Sequence, residues 1–176
     1  MTLWVFGYGS LIWNPGFDVE ERIIATLHGY SRSFCMKSIH HRGTPQDPGL
    51  VLALDENTET FCEGLALRVP DQQTTATLHY LRERELVSSA YLEKTLPVHL
   101  ADGRQVQAVS YVIDADHTQY CGSLDLEEQA QIIANATGGR GPNTEYLFNT
   151  AEHLQELGIV DNNLNWLSER VRSIVQ

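Results

Sequence analysis

Apolar residues come first in short runs and later at helical spacing. Leu3 to Phe6 is a compact apolar run stopped at once by Gly7, the pattern of a buried strand. Arg22 to Leu27, Ser33 to Lys37, Leu50 to Leu54 and Phe61 to Val69 read as further strands. The stretch HHRGTPQDPG between Ile39 and Leu50 is rich in Gly and Pro and predicts a long loop, a kind that often carries function. After Pro70 the period changes, and Asp71 is placed to cap a helix reaching about Leu86. Val98 to Leu100 and Gln105 to Ile113 flank Ala101-Asp102-Gly103-Arg104, and Asp-Gly between strand-like runs predicts a hairpin. Three helices follow. Asp125 and Glu128 have capping-box spacing ahead of the stripe Leu126, Ala130, Ile133 and Ala134, which ends at Gly138-Gly139. Thr144 to Leu157 is stopped by Gly158, and Leu164, Leu167, Val171 and Ile174 mark the last helix. Strands early, helices late and no strict βαβ alternation predict an α+β fold with a mainly antiparallel or barrel-like sheet. The length suits a single domain over residues 1–176.

Charge narrows the partners. The formal net charge of −11 argues against nucleic acid, whose phosphates call for clustered Lys and Arg, and against anionic membranes. No apolar run approaches the roughly 20 residues that span a bilayer. The opening MTLWVFGYGS has no basic n-region, so a secretory signal is not expected. Cys35, Cys62 and Cys121 are odd in number and widely spaced, without a CxxC. They read as packing residues in a reducing, cytoplasmic compartment, with neither a disulfide framework nor a zinc site. Short helices and an acidic surface fit a monomer.

Two features are candidates for chemistry. The first is Phe6-Gly7-Tyr8-Gly9-Ser10-Leu11, directly after the first strand. Two glycines around a tyrosine permit a sharp turn and a close backbone approach, and successive amides in such a turn form an anion-binding nest. GxGxxG, the P-loop and the nucleophile elbow all fail on this string. It reads either as a plain strand-end turn or as a backbone cradle. The second is Arg82-Glu83-Arg84-Glu85. At 100° per residue Leu78, Leu81 and Glu85 share one face, while Glu83 points about 200° from Glu85. Glu85 is therefore the carboxylate aimed at the interior. There it pairs with a buried arginine, lies at a frayed helix end, or works as a base, for burial raises a carboxylate's proton affinity. His40-His41-Arg42 lacks a third metal ligand at convincing spacing, and Arg140 is a lesser candidate for holding a carboxylate. A Ser-His-Asp triad through Ser10 has no distinctive support.

These residues carry a resemblance. Val5-Phe6-Gly7-Tyr8-Gly9-Ser10-Leu11-Ile12-Trp13, His41-Arg42-Gly43, Tyr80-Leu81 with Arg84-Glu85, and Asn143-Thr144-Glu145-Tyr146-Leu147-Phe148 occur in this order and spacing. The chain closely resembles the ChaC family of glutathione-specific γ-glutamylcyclotransferases over essentially its whole length. The resemblance implies a γ-glutamylcyclotransferase-like fold, a mixed barrel-like β-sheet with peripheral helices. It implies a carbon-nitrogen lyase, of the amidine-lyase class, that cleaves glutathione to 5-oxoproline and cysteinylglycine without cofactor or metal. The family's catalytic glutamate maps to Glu85. Its substrate loop maps to Val5, Phe6, Gly7, Tyr8, Gly9 and Ser10, with Leu11 adjoining, and Arg42, Tyr91 and Tyr146 are second-tier substrate contacts. The chain departs from many relatives in Leu86-Val87-Ser88-Ser89-Ala90, which has no glycine before Tyr91. That departure bears on how strictly glutathione is preferred. The rival readings are a cyclotransferase for other γ-glutamyl amino acids or amines, and a non-catalytic glutathione-binding module.

Overall fold

The computed structural model describes residues 2–86, 89–122 and 124–176. Its chain forms two compact units, residues 1–33 with 53–117, and 34–52 with 118–176.

The first unit holds β1 (Leu3–Gly7), β4 (Tyr91–Leu100), β5 (Gln105–Ile113) and the larger parts of β2 (Glu21–Ser38) and β3 (Gly49–Val69). The strands close into a barrel in the order β1-β3-β2-β4-β5, with a further β3–β5 pairing. β1 is buried along its whole length and runs antiparallel to β3, from Leu3 opposite Val69 to Gly7 opposite Leu65. On its other side it runs parallel to β5, with Trp4 opposite Ala108. A strand buried on both faces explains the unbroken apolar run Leu3 to Phe6. β4 and β5 form the expected hairpin, and Gly103 takes the left-handed conformation (φ +96°) that the Asp-Gly turn needs. The barrel-like α+β expectation holds.

Several boundaries differ. Arg22–Leu27 and Ser33–Lys37 are one strand, β2, which runs through Gly29 at φ +89°. A left-handed glycine inside a strand lets it bend without ending. Leu50–Leu54 and Phe61–Val69 are likewise one strand, β3, continuous through the exposed residues 56–59. β4 begins at Tyr91, well before Val98. The helix after Pro70 opens as a short 3-10 turn, Asp71–Gln73, and continues as α2 (Thr74–Glu85). Asp71 does not cap it through its side chain; the Asp71 carbonyl instead accepts from the Thr74 hydroxyl at 3.0 Å. A four-residue helix, α1 (Ser10–Trp13), follows the glycine turn where no helix was expected.

The second unit is built on α3 (Leu126–Asn135), α4 (Asn143–Glu156) and α5 (Asn162–Val175). The Asp125 side chain caps α3 by accepting from the Glu128 amide, as its spacing predicts. Ile133, Leu147, Leu154, Leu167 and Val171 are buried on these helices, which matches the apolar stripes. Between α3 and α4, Thr137–Gly138 (β6) and Gly141–Pro142 (β7) form a two-stranded ribbon. The buried Asn143 side chain exchanges hydrogen bonds with Leu50, donating to its carbonyl and accepting from its amide, both at 2.8 Å. Among the described residues no helix is long and apolar enough to cross a membrane.

Candidate active site

The glycine turn is held from three sides within the first unit. β1 delivers it at Gly7, and the close approach of β3 depends on Gly64, where a Cβ would lie 2.3 Å from the Gly7 carbonyl oxygen. Behind the turn, the Tyr8 hydroxyl donates to the Tyr111 carbonyl at 3.1 Å. Arg32 donates from Nη1 to the carbonyls of Tyr8 (3.1 Å) and Glu63 (2.8 Å). Past the turn, the Ile12 amide bonds back to the Gly9 carbonyl at 3.0 Å and starts α1. Val5 and Phe6 are fully buried and Gly7, Tyr8, Gly9 and Leu11 are buried too, so Ser10 is the part of the segment with appreciable exposure.

The end of α2 comes to the same turn. Thr77 and Leu81 form its buried stripe. Helical phase then decides the two glutamates: the Glu85 side chain is 15 % exposed and that of Glu83 70 % exposed. Glu83 reaches back to His79 Nε2 at 3.0 Å on the solvent face. Between Glu85 and the turn lies Arg84, whose side chain is only 8 % exposed. Its Nη2 donates to Ser10 Oγ at 3.1 Å. Its Nη1 donates to the carbonyls of Asn14 (2.7 Å) and Pro15 (2.9 Å) and to the Tyr80 hydroxyl (3.1 Å). Its Nε is 3.4 Å from Glu85 Oε1. One planar guanidinium thus joins the glycine turn, the chain just after it and the inward-facing carboxylate, a use its fork geometry suits better than a lysine's point charge. Glu85 is inward-facing and beside an arginine, the pairing that helical phase left open.

A second carboxylate stands on β4. Glu93 lies opposite Tyr111 in the β4–β5 register and accepts its hydroxyl at 2.9 Å. Arg82 binds Glu93 with both Nε and Nη2, each at 3.0 Å. The Arg82 hydrogen bond first, and then that of Tyr111, hold Glu93 below the usual carboxylate range against the opposing effect of partial burial. Tyr111 is pushed well above the ordinary phenol value, by burial first, then by its bond to Glu93 and the negative charge there, and also by the charge on Glu85. Tyr91, at the start of β4, is two residues from Glu93 and on the same strand face.

Arg42 and Tyr146 belong to the second unit, where the structure brings them together: the Arg42 guanidinium carbon is 5.8 Å from the Tyr146 ring centroid. Arg42 is buried and donates from Nη1 to the Pro142 carbonyl at 3.0 Å, with Glu145 Oε1 at 3.5 Å. The Tyr146 hydroxyl accepts from the Leu52 amide at 3.1 Å. His40, His41 and Arg140 are exposed. Ser89 lies in the glycine-free segment after Glu85 at φ +60°, and Val87 and Ser88 of that segment lie outside the described residues.

The sequence profile of the family described as ChaC-like protein matches residues 3–174. The chain belongs to the ChaC-like family. It is 37 % identical over 173 residues to the glutathione-specific gamma-glutamylcyclotransferase of Escherichia coli strain K12, covering 98 % of this chain and 74 % of that protein. It is 35 % identical over 181 residues to gamma-glutamylcyclotransferase 2-3 of Arabidopsis thaliana, covering 99 % of this chain and 91 % of that one. The crystal structure of a yeast gamma-glutamyl cyclotransferase specific to glutathione superposes with a TM-score of 0.88 at 26 % identity, over 98 % of this chain and 96 % of the yeast chain. This family's fold is the barrel and helices described above. Sequence reading picked out the turn and Glu85. It missed Arg84 as the clamp, and Arg32, Glu93 and Tyr111 as its surroundings; the Arg84-Glu85 pairing was the available signal for the first.

Proposed function

We propose that this chain is a glutathione-specific γ-glutamylcyclotransferase, cleaving glutathione to 5-oxoproline and cysteinylglycine with Glu85 as general acid and base. Family membership with relatives of that name supports the reaction. The observation that carries the site assignment is Arg84, which contacts both the glycine turn and Glu85.

The reaction is an internal acyl transfer. The α-amino group of the γ-glutamyl moiety attacks its own side-chain amide carbon, a five-membered lactam closes, and the amine of cysteinylglycine leaves. Nucleophile and electrophile are in one molecule, so the protein's main task is to hold the substrate folded in a near-attack shape. The α-nitrogen is an ammonium at neutral pH and must shed a proton before it attacks. Glu85 accepts that proton and delivers it to the departing nitrogen. A second proton follows the same route as the tetrahedral intermediate collapses, so both protons shed by the attacking nitrogen end on the leaving amine. No covalent enzyme intermediate is needed.

Two carboxylates flank Tyr111, and their surroundings separate their roles. Glu93 accepts two hydrogen bonds from Arg82 and one from Tyr111, which fix it as an ionised structural anion. Glu85, inward-facing at the end of α2 and joined to the glycine turn through Arg84, is assigned the proton transfer. Main-chain amides of the Tyr8-to-Leu11 turn receive either the developing oxyanion or the substrate's α-carboxylate; losing one oxyanion donor typically raises a barrier by about 3 kcal/mol. Arg42, Tyr91 and Tyr146 are assigned as further substrate contacts. The substrate is a small molecule, with no metal or cofactor and neither nucleic acid nor membrane as partner. The protein acts as a cytoplasmic monomer.

The test is a substrate panel on the purified chain, followed by mass spectrometry: glutathione, simple γ-glutamyl amino acids and γ-glutamylamines. Equal amounts of 5-oxoproline and cysteinylglycine from glutathione, with far slower release from the others, are expected. Faster turnover of another γ-glutamyl compound would replace the substrate assignment, and tight binding of glutathione without product would make the chain a binding module.

A further inference from the structure

Cys35 and Cys121 are 86 residues apart in sequence and adjacent in the second unit. The end of β2 pairs there with the segment before α3: Met36 and Tyr120 form an antiparallel bridge. The Lys37 amide donates to the Gln119 carbonyl at 2.8 Å, and the Cys121 amide donates to the Cys35 carbonyl at 2.8 Å. The Gln119 side chain adds a bond to the Lys37 carbonyl at 2.8 Å. In antiparallel register the residue before Met36 faces the residue after Tyr120, so Cys35 and Cys121 are opposite one another. Facing residues at such a hydrogen-bonded position have Cα atoms about 5.5 Å apart with side chains on the same face. That separation is inside the roughly 4.4–6.8 Å span of disulfides. The Cys121 sulfur already lies 3.9 Å from the Phe34 carbonyl oxygen, against the peptide bond that leads into Cys35.

The two thiols differ in access. Cys35 is 0 % exposed and Cys121 is partly exposed. The third cysteine, Cys62, is buried in the first unit. We propose that Cys35 and Cys121 are a redox-convertible dithiol, with Cys121 the entry thiol, Cys35 the resolving thiol, and a small-molecule disulfide as the oxidant. The Cys121 thiolate attacks the disulfide; one sulfur–sulfur bond breaks, a mixed disulfide forms at Cys121, and one small thiol leaves. The Cys35 thiolate then attacks the Cys121 sulfur and expels the second small thiol. Two protein thiols lose two hydrogens and become one disulfide, and the oxidant gains those two hydrogens and becomes two thiols. The product would staple the strand end from which Ser38 and the buried Arg42 depart; the Arg42 amide donates to Ser38 Oγ at 2.9 Å. The inference is independent of the catalytic reading, since it uses neither Glu85 nor a γ-glutamyl group.

The full chain is incubated folded with 2-hydroxyethyl disulfide, which carries no γ-glutamyl group, then alkylated in denaturant and mapped by mass spectrometry. Alkylated thiols should fall from three to one, with Cys62 the survivor and a peptide joining Cys35 to Cys121. Cys121→Ser should keep both remaining thiols alkylated. Cys35→Ala, with circular dichroism confirming its fold, should trap the hydroxyethyl adduct on Cys121. Three alkylated thiols after oxidation, a stable adduct on Cys121 with Cys35 still reduced in the unmutated chain, or an intermolecular dimer would each overturn the proposal.

Discussion

Arg84→Met removes the clamp between α2 and the glycine turn and keeps much of the side chain's apolar bulk. It leaves the Asn14 and Pro15 carbonyls and the Ser10 and Tyr80 hydroxyls without the donor they now share. A hydrogen bond to a charged group is worth about 1.5–3 kcal/mol, and the two short carbonyl bonds dominate. The Asn14 carbonyl is at the surface, where water takes the vacated position, so a net loss of about 3 kcal/mol is expected. For a chain of this size that lowers Tm by roughly 6–12 °C. The larger effect should be kinetic. The turn would be free to shift relative to Glu85, and a misplacement of about 1 Å at a reacting centre costs on the order of 100-fold in rate. The assay pairs thermal melting with kcat/KM on glutathione, and Arg82→Met serves as the comparison. Arg82 meets Glu93 at an exposed position, so its variant should lose much less Tm than Arg84→Met. Arg84→Lys should fall between the two, for an ammonium cannot span the fork. An Arg84→Met protein with unchanged Tm and unchanged kcat/KM would refute the reasoning.

Tyr111→Phe removes a donor to Glu93 and should cost about 1 kcal/mol in denaturant titration while leaving the Arg82–Glu93 pair in place. In the unmutated chain the pH dependence follows from the raised Tyr111 value: the buried phenol stays neutral when the unfolded one ionises. Its contribution to stability is full below about pH 10 and is lost as pH rises above that, so melting should fall more steeply there than in Tyr111→Phe. At the other end, Glu93 is held low, so its contribution is present above the ordinary glutamate value and fades as pH drops through the depressed one. Ser89→Gly should raise stability by about 0.5–1 kcal/mol, because Ser89 sits at φ +60° where a side chain is disfavoured; a lower Tm would contradict this.

Local pattern carried the elements whose signals are local. The Asp125 cap, the Asp-Gly hairpin and the stop at Gly158 depend on neighbours within a few residues, and all stand where the sequence put them. The phase that separates Glu85 from Glu83 is also a local property. Breaks inside β2 and β3 were misjudged because each strand runs on where burial stops, β2 through Gly29 and β3 through the exposed residues 56–59. Asp71 has the type and position of a cap, but a 3-10 turn puts its carbonyl in that place instead. Arg32, Glu93 and Tyr111 were invisible for a different reason. Their partners lie 11 to 103 residues away, and only tertiary packing brings each group to its partner.

The account rests on Glu85 moving the protons. Glu85→Gln, Glu83→Gln and Glu93→Gln should be compared at saturating glutathione, with 5-oxoproline release as the readout and circular dichroism as the check on folding. Loss of at least about 100-fold in kcat is expected for Glu85→Gln, the scale of general acid–base catalysis, with Glu83→Gln indistinguishable from the unmutated chain. Glu93→Gln should melt earlier yet keep most of its kcat. A folded Glu85→Gln that turns over at the unmutated rate, or a Glu83→Gln that loses as much, would contradict the assignment.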